Sequence, residues 1–238
     1  MPDIIMKRTL SCMALLLWGG LAVAGECVVL LHGLARTASS MNRMERELVA
    51  AGYATANIDY PSREHTVEDL AEIAVPAGLD ACRAVAGVET IHFVTHSLGG
   101  ILVRQYLSEH DIAELGRVVM LGPPNQGSAA VDELQDVPGF DWLNGPAGGQ
   151  LGKGPDSVPL RLGPADFELG VIAGNRTIDP ITSAVLDNPD DGRVSVEDTK
   201  LEGMADFVVV EHSHAFMMRM DRPIELTKTF LEKGRFSD

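Results

Sequence analysis

The chain has 238 residues, of which 45% are hydrophobic and 22% are charged, and its formal net charge at pH 7 is -15. Length and composition are those of one globular domain with a substantial buried core. The negative charge argues against nucleic acid as a partner, because such binding depends on neutralising phosphates, and it opposes electrostatic adsorption to anionic lipid.

The N-terminus has the pattern of a secretory signal peptide. Lys7-Arg8 supply positive charge, residues 10–21 are mostly apolar, and Ala22-Val23-Ala24 form an A-x-A cleavage site. The apolar run is short for a membrane span. We therefore expect a signal peptide over residues 1–24, cleavage after Ala24, a periplasmic or secreted protein without a stable membrane anchor, and a single mature domain over residues 25–238.

Short apolar runs alternate with helix-like segments through the rest of the chain. The predicted strands are Cys27–Leu31, Thr55–Asp59, Thr90–Thr95, Arg117–Leu121, Val171–Ala173 and Phe207–Val210. A helix capped by Thr66 follows the second strand, and we expect Pro76 to kink it or split it in two. The alternation predicts an α/β fold with a mostly parallel central sheet and helices on both faces.

Ser97 directly follows the third predicted strand, in the sequence Thr95-His96-Ser97-Leu98-Gly99, and a helical stretch comes next. A serine with small residues two positions before and after it is typical of the nucleophile elbow, a strained turn that holds the hydroxyl above a sheet. The helix N-terminus beneath it favours developing negative charge. Thr95 stands where glycine is usual. The pattern predicts Ser97 as a nucleophile.

A second motif follows the first predicted strand, which ends in His32-Gly33-Leu34. Folds with an elbow serine place an oxyanion-hole N–H just beyond such a strand, and the residue after the nucleophile provides the other. This interpretation assigns the backbone N–H groups of Leu34 and Leu98 to the oxyanion hole.

A serine nucleophile needs a base, and histidine has a suitable pKa. Where the nucleophile is an elbow serine, the acid and then the histidine follow it along the chain, in the order Ser…Asp…His. The candidates for the base are therefore the two histidines after the last strand, His212 and His214. We favour His214 because it lies further beyond the carboxyl end of the strand. The two form a close histidine pair without an evident third ligand nearby, so we expect no metal.

The carboxylate that would orient this histidine lies in Asp190-Asp191-Gly192-Arg193-Val194. We favour Asp191, with Asp190 as the close alternative and Asp187 and Asp198 further away.

Three cysteines are present, and Cys12 falls in the predicted signal peptide. The remaining pair, Cys27 and Cys82, predicts a disulfide in an exported protein. Cys27 begins a strand and Cys82 lies near the end of an antiparallel helix, so both should lie at the sheet edge opposite the site. Two buried thiols are the alternative.

These motifs resemble those of exported bacterial α/β-hydrolases of the esterase and triacylglycerol-lipase type. The matching segments are CVVLLHGLART, VTHSLGGILVR, VVMLGPPNQGS, PDDGRVSV and HSHAFMM. Asp191 stands in the Asp-Gly-x-Val pattern that many lipases carry at the triad acid. The resemblance implies hydrolysis of a small-molecule or lipid ester through an acyl-serine intermediate, without a metal or organic cofactor. It also implies that residues 123–128 rim the pocket.

The segment 138–164 is rich in glycine and proline and contains Phe140, Trp142 and Leu143. We expect no regular helix or strand there. In the similar hydrolases, caps or lids are inserted at this position, so the segment is interpreted either as a substrate-covering excursion or as a loop packed on the body.

The alternatives share the fold. A thioesterase or amidase would use the same three side chains with a different pocket, and a non-catalytic binding protein would use the fold alone.

Overall fold

The computed structural model describes residues 25–237, and the predicted signal peptide lies outside them. The strands are β1 (Glu26–Leu31), β2 (Ala54–Ile58), β3 (Thr90–His96), β4 (Leu115–Leu121), β5 (Leu169–Gly174) and β6 (Asp206–Val210). The α-helices are α1 (Asn42–Ala50), α2 (Val67–Arg83), α3 (Leu98–Leu107), α4 (Ala129–Leu134), α5 (Phe140–Gly149), α6 (Val158–Arg161), α7 (Pro180–Ser183) and α8 (Asp221–Lys233). All six predicted strands are confirmed.

The strands form one sheet in the order β2-β1-β3-β4-β5-β6, and every neighbouring pair is parallel. Side chains alternate between its faces, as β1 shows: Val29 and Leu31 pack with α2 and α3, whereas Val28 and Leu30 pack with α1 and α8. The prediction of helices on both faces is thus confirmed. Burial on both sides explains why inner strands such as β1 and β5 are almost continuously apolar, whereas the edge strands β2 and β6 are mostly half-buried.

The helix α2 runs from Val67 to Arg83 with Pro76 inside it, so Pro76 does not split the helix in two, which was one of the two expected outcomes. Proline removes one backbone hydrogen bond from a helix interior. Buried residues on both sides of Pro76, among them Ala71, Val75 and Leu79, pack the helix against the core and hold its two halves together. The side chain of Thr66 caps this helix by accepting a hydrogen bond from the Asp69 N–H at 3.2 Å, as predicted.

Cys27 and Cys82 form a disulfide, with 5.7 Å between their Cα atoms. Cys27 lies near the start of β1 and Cys82 near the end of α2, which is the amino-terminal edge of the parallel sheet. The predicted pairing and its location are therefore confirmed.

The expectation that residues 138–164 lack regular structure is wrong, since they contain α5 and α6. The helix α5 is kinked at Gly145 and Pro146, and Gly145 has a φ of 64°, which is not helical. Gly145 also passes so close to the Arg63 backbone that an added Cβ would clash with it. Trp142 and Leu143 are exposed on this segment.

No helix within residues 25–237 is long and apolar enough to cross a membrane.

Candidate active site

Ser97 occupies a strained turn between β3 and α3. Its φ is 53° and its ψ is -120°, and within residues 25–237 only Ala35 shares a positive φ among residues other than glycine. Its N–H donates to the Leu121 carbonyl at 2.9 Å, which fixes the turn against β4. A Cβ at Gly99 would lie 2.7 Å from the Leu31 carbonyl oxygen, so the turn requires glycine two positions after Ser97.

Asp191 and His214 form a buried pair in which Nδ1 of His214 lies 2.7 Å from Oδ2 of Asp191. The backbone N–H groups of Arg193 and Val194 each donate to Oδ1 of Asp191 at 2.9 Å, and the His214 N–H donates to the Asp191 carbonyl at 3.0 Å. Because a carboxylate only accepts, Nδ1 of His214 carries the proton in this contact. Its Nε2 is then the unprotonated nitrogen that can act as a base.

The alternatives for acid and base have other contacts. The carboxylate of Asp190 accepts from the Ser183 hydroxyl at 2.6 Å and from the Gly192 N–H at 2.7 Å. The His212 side chain forms no hydrogen bond or ion pair in the described part of the chain, and its ring is partly exposed. The geometry therefore favours Asp191 over Asp190 and His214 over His212.

Ser97, Asp191 and His214 all lie near the end of β4. Ser97 is hydrogen-bonded to Leu121, and a Cβ added to the next residue, Gly122, would lie 3.0 Å from Oδ2 of Asp191 and 3.1 Å from Nδ1 of His214. Among the hydrogen bonds of residues 25–237, none joins the Ser97 hydroxyl to His214. Hydrogen bonds between a nucleophile and its base often tighten only when substrate is bound.

His96 lies between the elbow and the loop of His214. Its ring is buried and 4.7 Å from the His214 ring, centroid to centroid, and its Nε2 is 2.9 Å from the His214 carbonyl oxygen. Burial, followed by the positive charge that His214 and Arg36 can carry, holds the pKa of His96 well below its ordinary value. Neutral His96 therefore donates through Nε2 and fixes the backbone that carries His214.

The loop after β1 crosses directly over the elbow. A Cβ at Gly33 would lie 2.7 Å from Nδ1 of His96 and 3.2 Å from Cβ of Ser97, so only glycine allows this approach. Ala35 has a φ of 55°, and its N–H donates to the Ser62 hydroxyl at 3.1 Å. The loop therefore presents Leu34 close to Ser97. The N–H of Leu98 belongs to the first turn of α3, where helical amides have no partner within the helix.

His32 anchors this loop to the end of β2. Its ring stacks on Tyr60 with centroids 4.0 Å apart, Nδ1 donates to the Gly33 carbonyl at 2.9 Å, and Nε2 accepts from the Tyr60 N–H at 3.3 Å. The Tyr60 hydroxyl in turn donates to the His32 carbonyl. Burial lowers the pKa of His32, which agrees with this neutral tautomer.

Residues 28–226 match the family model described as "Alpha/beta hydrolase family". The chain belongs to the alpha/beta hydrolase family. The predicted α/β-hydrolase fold is thereby confirmed, with a sheet that is parallel throughout. No curated protein matches the chain at a significant level.

Several solved hydrolase structures are similar in fold. The mature lipase of Bacillus licheniformis is 20% identical with a TM-score of 0.68, and the match covers 88% of this chain and 93% of that one. A metagenomic carboxyl esterase is 21% identical with a TM-score of 0.66, covering 82% and 66%. Lipase B of Aspergillus fumigatus is 15% identical with a TM-score of 0.62, covering 87% and 52%. At these identities the similarity establishes the fold alone.

A cavity of about 370 Å³ lies beside the Asp191–His214 pair of this hydrolase. Its lining residues are Arg36, Ile178, Asp179, Pro180, Asp191, Gly192, Arg193, His214 and Ala215. The sequence analysis did not identify Arg36 and Arg193 as site residues. The sequence feature that could have identified them is their position, since Arg36 lies two residues after Leu34 and Arg193 lies two residues after Asp191.

The segment 123–128 lines neither this cavity nor its neighbour around residues 59–64. Instead, its residues form hydrogen bonds that hold neighbouring segments in place. Asn125 is fully buried and binds Arg104 through its side-chain oxygen at 3.2 Å and the Thr199 carbonyl through its amide at 2.8 Å. The Ser128 hydroxyl donates to the Arg193 carbonyl at 2.7 Å, which fixes the loop that carries Asp191.

Proposed function

We propose that this alpha/beta hydrolase cleaves carboxylic esters through an acyl-serine intermediate, with Ser97 as nucleophile, His214 as base and Asp191 as the orienting acid. The observation that carries the proposal is the buried 2.7 Å contact of Asp191 with Nδ1 of His214, beside a serine held at positive φ. This set provides each group that acyl transfer by serine requires.

In the first step the Ser97 hydroxyl attacks the ester carbonyl carbon while Nε2 of His214 removes its proton. Asp191 retains its charge and stabilises the imidazolium that forms. Two backbone N–H groups and His214 itself already hold Asp191, so the acid needs no rearrangement during the reaction.

The negative charge that develops on the carbonyl oxygen is bound by the N–H groups of Leu34 and Leu98. Two contacts of the loop after β1 support this assignment, because they fix the Leu34 N–H relative to the nucleophile. The Ala35 N–H binds the Ser62 hydroxyl, and Gly33 lies against Ser97. Donors fixed before the reaction stabilise the oxyanion without reorganisation, and losing one typically costs about 3–4 kcal/mol of activation free energy.

His214 then gives its proton to the departing alcohol, and the acyl group remains on Ser97. A water molecule deprotonated by the same Nε2 attacks the acyl carbon and releases the acid. The serine and the neutral histidine are restored, which completes the cycle.

We assign this activity to an exported protein that matures by cleavage after Ala24. The Cys27–Cys82 disulfide supports export, since such bonds persist in oxidising compartments and are rare in the cytosol. Residues 25–238 then form the mature hydrolase domain, with 138–164 as an excursion from it.

The test is mass spectrometry of the purified protein after reaction with a fluorophosphonate, which phosphonylates activated serines. We expect one adduct on Ser97, no adduct in the Ser97→Ala variant, and hydrolysis of short p-nitrophenyl esters. A folded wild-type protein that takes up no label would contradict the proposal and favour a non-catalytic binding protein. Labelling without hydrolysis of oxygen esters, but with hydrolysis of thioesters or amides, would favour those substrate classes.

A further inference from the structure

Arg36 is a cation without a counter-ion in a protein that has many acids. The chain has 34 aspartates and glutamates against 19 lysines and arginines. Even so, the Arg36 guanidinium forms no ion pair or hydrogen bond with any residue of the described range, although the side chain is partly buried. An arginine so placed usually finds a carboxylate or carbonyl, because desolvating an unpaired charge is unfavourable.

Two other arginines lie near Arg36. Burial, together with the neighbouring charges of Arg219 and Arg193, lowers the pKa of Arg36 below its ordinary value. Arg193 has a partner, since it lies 3.3 Å from Asp179, whereas the Arg36 guanidinium has none in the part of the chain that the structure describes. The carboxylate of Asp59 accepts a hydrogen bond from the Ala38 N–H at 2.9 Å instead. Of the charged residues that line the cavity, Arg193 pairs with Asp179 and Asp191 contacts His214, so that Arg36 is the one without a contacting partner among residues 25–237.

The position of Arg36 is fixed by the backbone. It follows Ala35, whose positive φ is unfavourable for an L-residue. Its own N–H donates to the Gly33 carbonyl at 3.3 Å. This turn places Arg36 two residues after Leu34, at the wall of the cavity that also contains Asp191 and His214. Strain retained at a functional site is consistent with a task for the side chain it presents.

We propose that Arg36 binds an anionic group of the substrate, so that the preferred esters carry a carboxylate or phosphate near the scissile bond. The inference rests on the proposed function, because it concerns the substrate of the same site. A guanidinium offers a planar set of donors that matches carboxylate and phosphate oxygens in pairs. An incoming anion would supply the counter-ion that the protein itself withholds.

The test compares matched esters that differ in one charge. Mono-4-nitrophenyl adipate and its methyl ester place the carboxylate, or its neutral form, on the acyl side. The hexanoate ester of 4-hydroxybenzoate and that of methyl 4-hydroxybenzoate do so on the alcohol side. Dioctanoylphosphatidylglycerol and dioctanoylglycerol in the same detergent micelles form the third pair, which separates a lipid headgroup from a small acid as the source of the anion.

The variants are Arg36→Gln, Arg36→Lys and the control Arg235→Gln. Arg235 is exposed at the opposite edge, next to Phe236, whose N–H binds Asp206 at the start of β6. Its replacement changes the net charge equally. We expect Arg36→Gln to lower kcat/KM for the anionic member of at least one pair by roughly 10- to 100-fold, the usual range for a charge-assisted contact, and to leave its neutral partner nearly unchanged. Arg36→Lys should be intermediate, and Arg235→Gln should affect neither.

An Arg36→Gln variant that loses both members of every pair equally, or neither member of any, would overturn the inference. If the wild-type enzyme hydrolyses none of the esters, the proposed function fails instead. The inference is then decided by calorimetric titration of the Ser97→Ala protein with the same anionic esters. Binding that weakens at least about tenfold when Arg36→Gln is added supports it, and binding that is absent or unchanged rejects it.

Discussion

The two edges of the sheet treat their polar groups differently. At the amino-terminal edge, the disulfide joins Cys27 to Cys82, and the His92 ring is 3.0 Å from Glu26 and accepts from the Arg117 N–H at 2.7 Å. The Arg117 side chain pairs with Glu168 at 2.9 Å. These charged groups and this ring all have partners.

At the carboxyl-terminal edge, strain and unsatisfied groups are gathered instead. Both residues other than glycine that have positive φ within residues 25–237, Ala35 and Ser97, lie here. So do three of the four buried side-chain atoms that lack a hydrogen-bond partner within residues 25–237, namely Asn57 Oδ1, His96 Nδ1 and Asn175 Oδ1, whereas the fourth, Gln105 Oε1, lies near the end of α3. Arg36, which has no contacting counter-ion in the same range, also lies at the carboxyl-terminal edge. A well-paired edge contributes stability, whereas a site must leave groups free for a substrate. The difference indicates which edge serves the fold and which serves the chemistry.

The largest expected effect tests whether the carboxyl-terminal edge is the site of the activity. We expect His214→Ala to lower kcat for a p-nitrophenyl ester by roughly 10³- to 10⁶-fold, because within residues 25–237 no other histidine is paired with Asp191 to take the serine proton. His212→Ala is the matched control, two residues away in the same loop, and should retain most activity. Circular dichroism checks that both variants are folded. An inactive His212→Ala with an active His214→Ala would reverse the assignment.

The next effect concerns stability at the opposite edge. The disulfide closes a loop with a sequence separation of 55 residues, for which the chain-entropy model gives about 4 kcal/mol of stabilisation. The double variant Cys27→Ala/Cys82→Ala should lose about that much free energy of unfolding in urea, while kcat/KM of the folded enzyme stays near its wild-type value. A loss below about 1 kcal/mol would show that the bond constrains the unfolded chain little.

The smallest effect is on pH dependence. The pKa of His96 is lowered by burial, so the unfolded chain binds a proton at this residue before the folded protein does. Stability is therefore full above about pH 6.5 and falls as the pH drops towards the folded-state pKa, with a slope of up to about 1.4 kcal/mol per pH unit. We expect His96→Gln to have a shallower decline below pH 6.5 in urea titrations, with pH 8 as the internal reference. An equally steep decline would assign the acid sensitivity to other groups.

Much of the fold was predictable because its signals are local. The six strands are short apolar runs, since a parallel sheet covered on both faces requires them. The elbow was recognisable because the steric demand at Gly99 leaves a mark in sequence. The sequence left open whether Pro76 splits α2, because the packing of the helix on both sides of that residue cannot be read from the residue itself.

The site was predictable only in part. The order Ser97, Asp191, His214 narrowed the candidates, but the sequence could not separate Asp191 from its neighbour Asp190. That choice depends on which carboxylate the turn at Gly192 directs towards the histidine. The N–H groups of Arg193 and Val194 hold the Asp191 carboxylate, and the Ser128 hydroxyl, far away in sequence, fixes the Arg193 carbonyl. The sequence did not identify Arg36, because an arginine without a counter-ion within residues 25–237 can be recognised only in the three-dimensional structure.

The disulfide has a consequence for the connectivity of the site. The covalent ring that it closes contains the loop of Leu34 and Arg36, with its supports Tyr60 and Ser62, whereas the three residues of the proposed triad lie outside the ring. A protease that cuts the exposed bond after Arg63 would therefore leave both pieces tethered. On a denaturing gel the nicked hydrolase would run as one species until reductant is added, and the loop of Leu34 would remain joined to the body that carries Ser97.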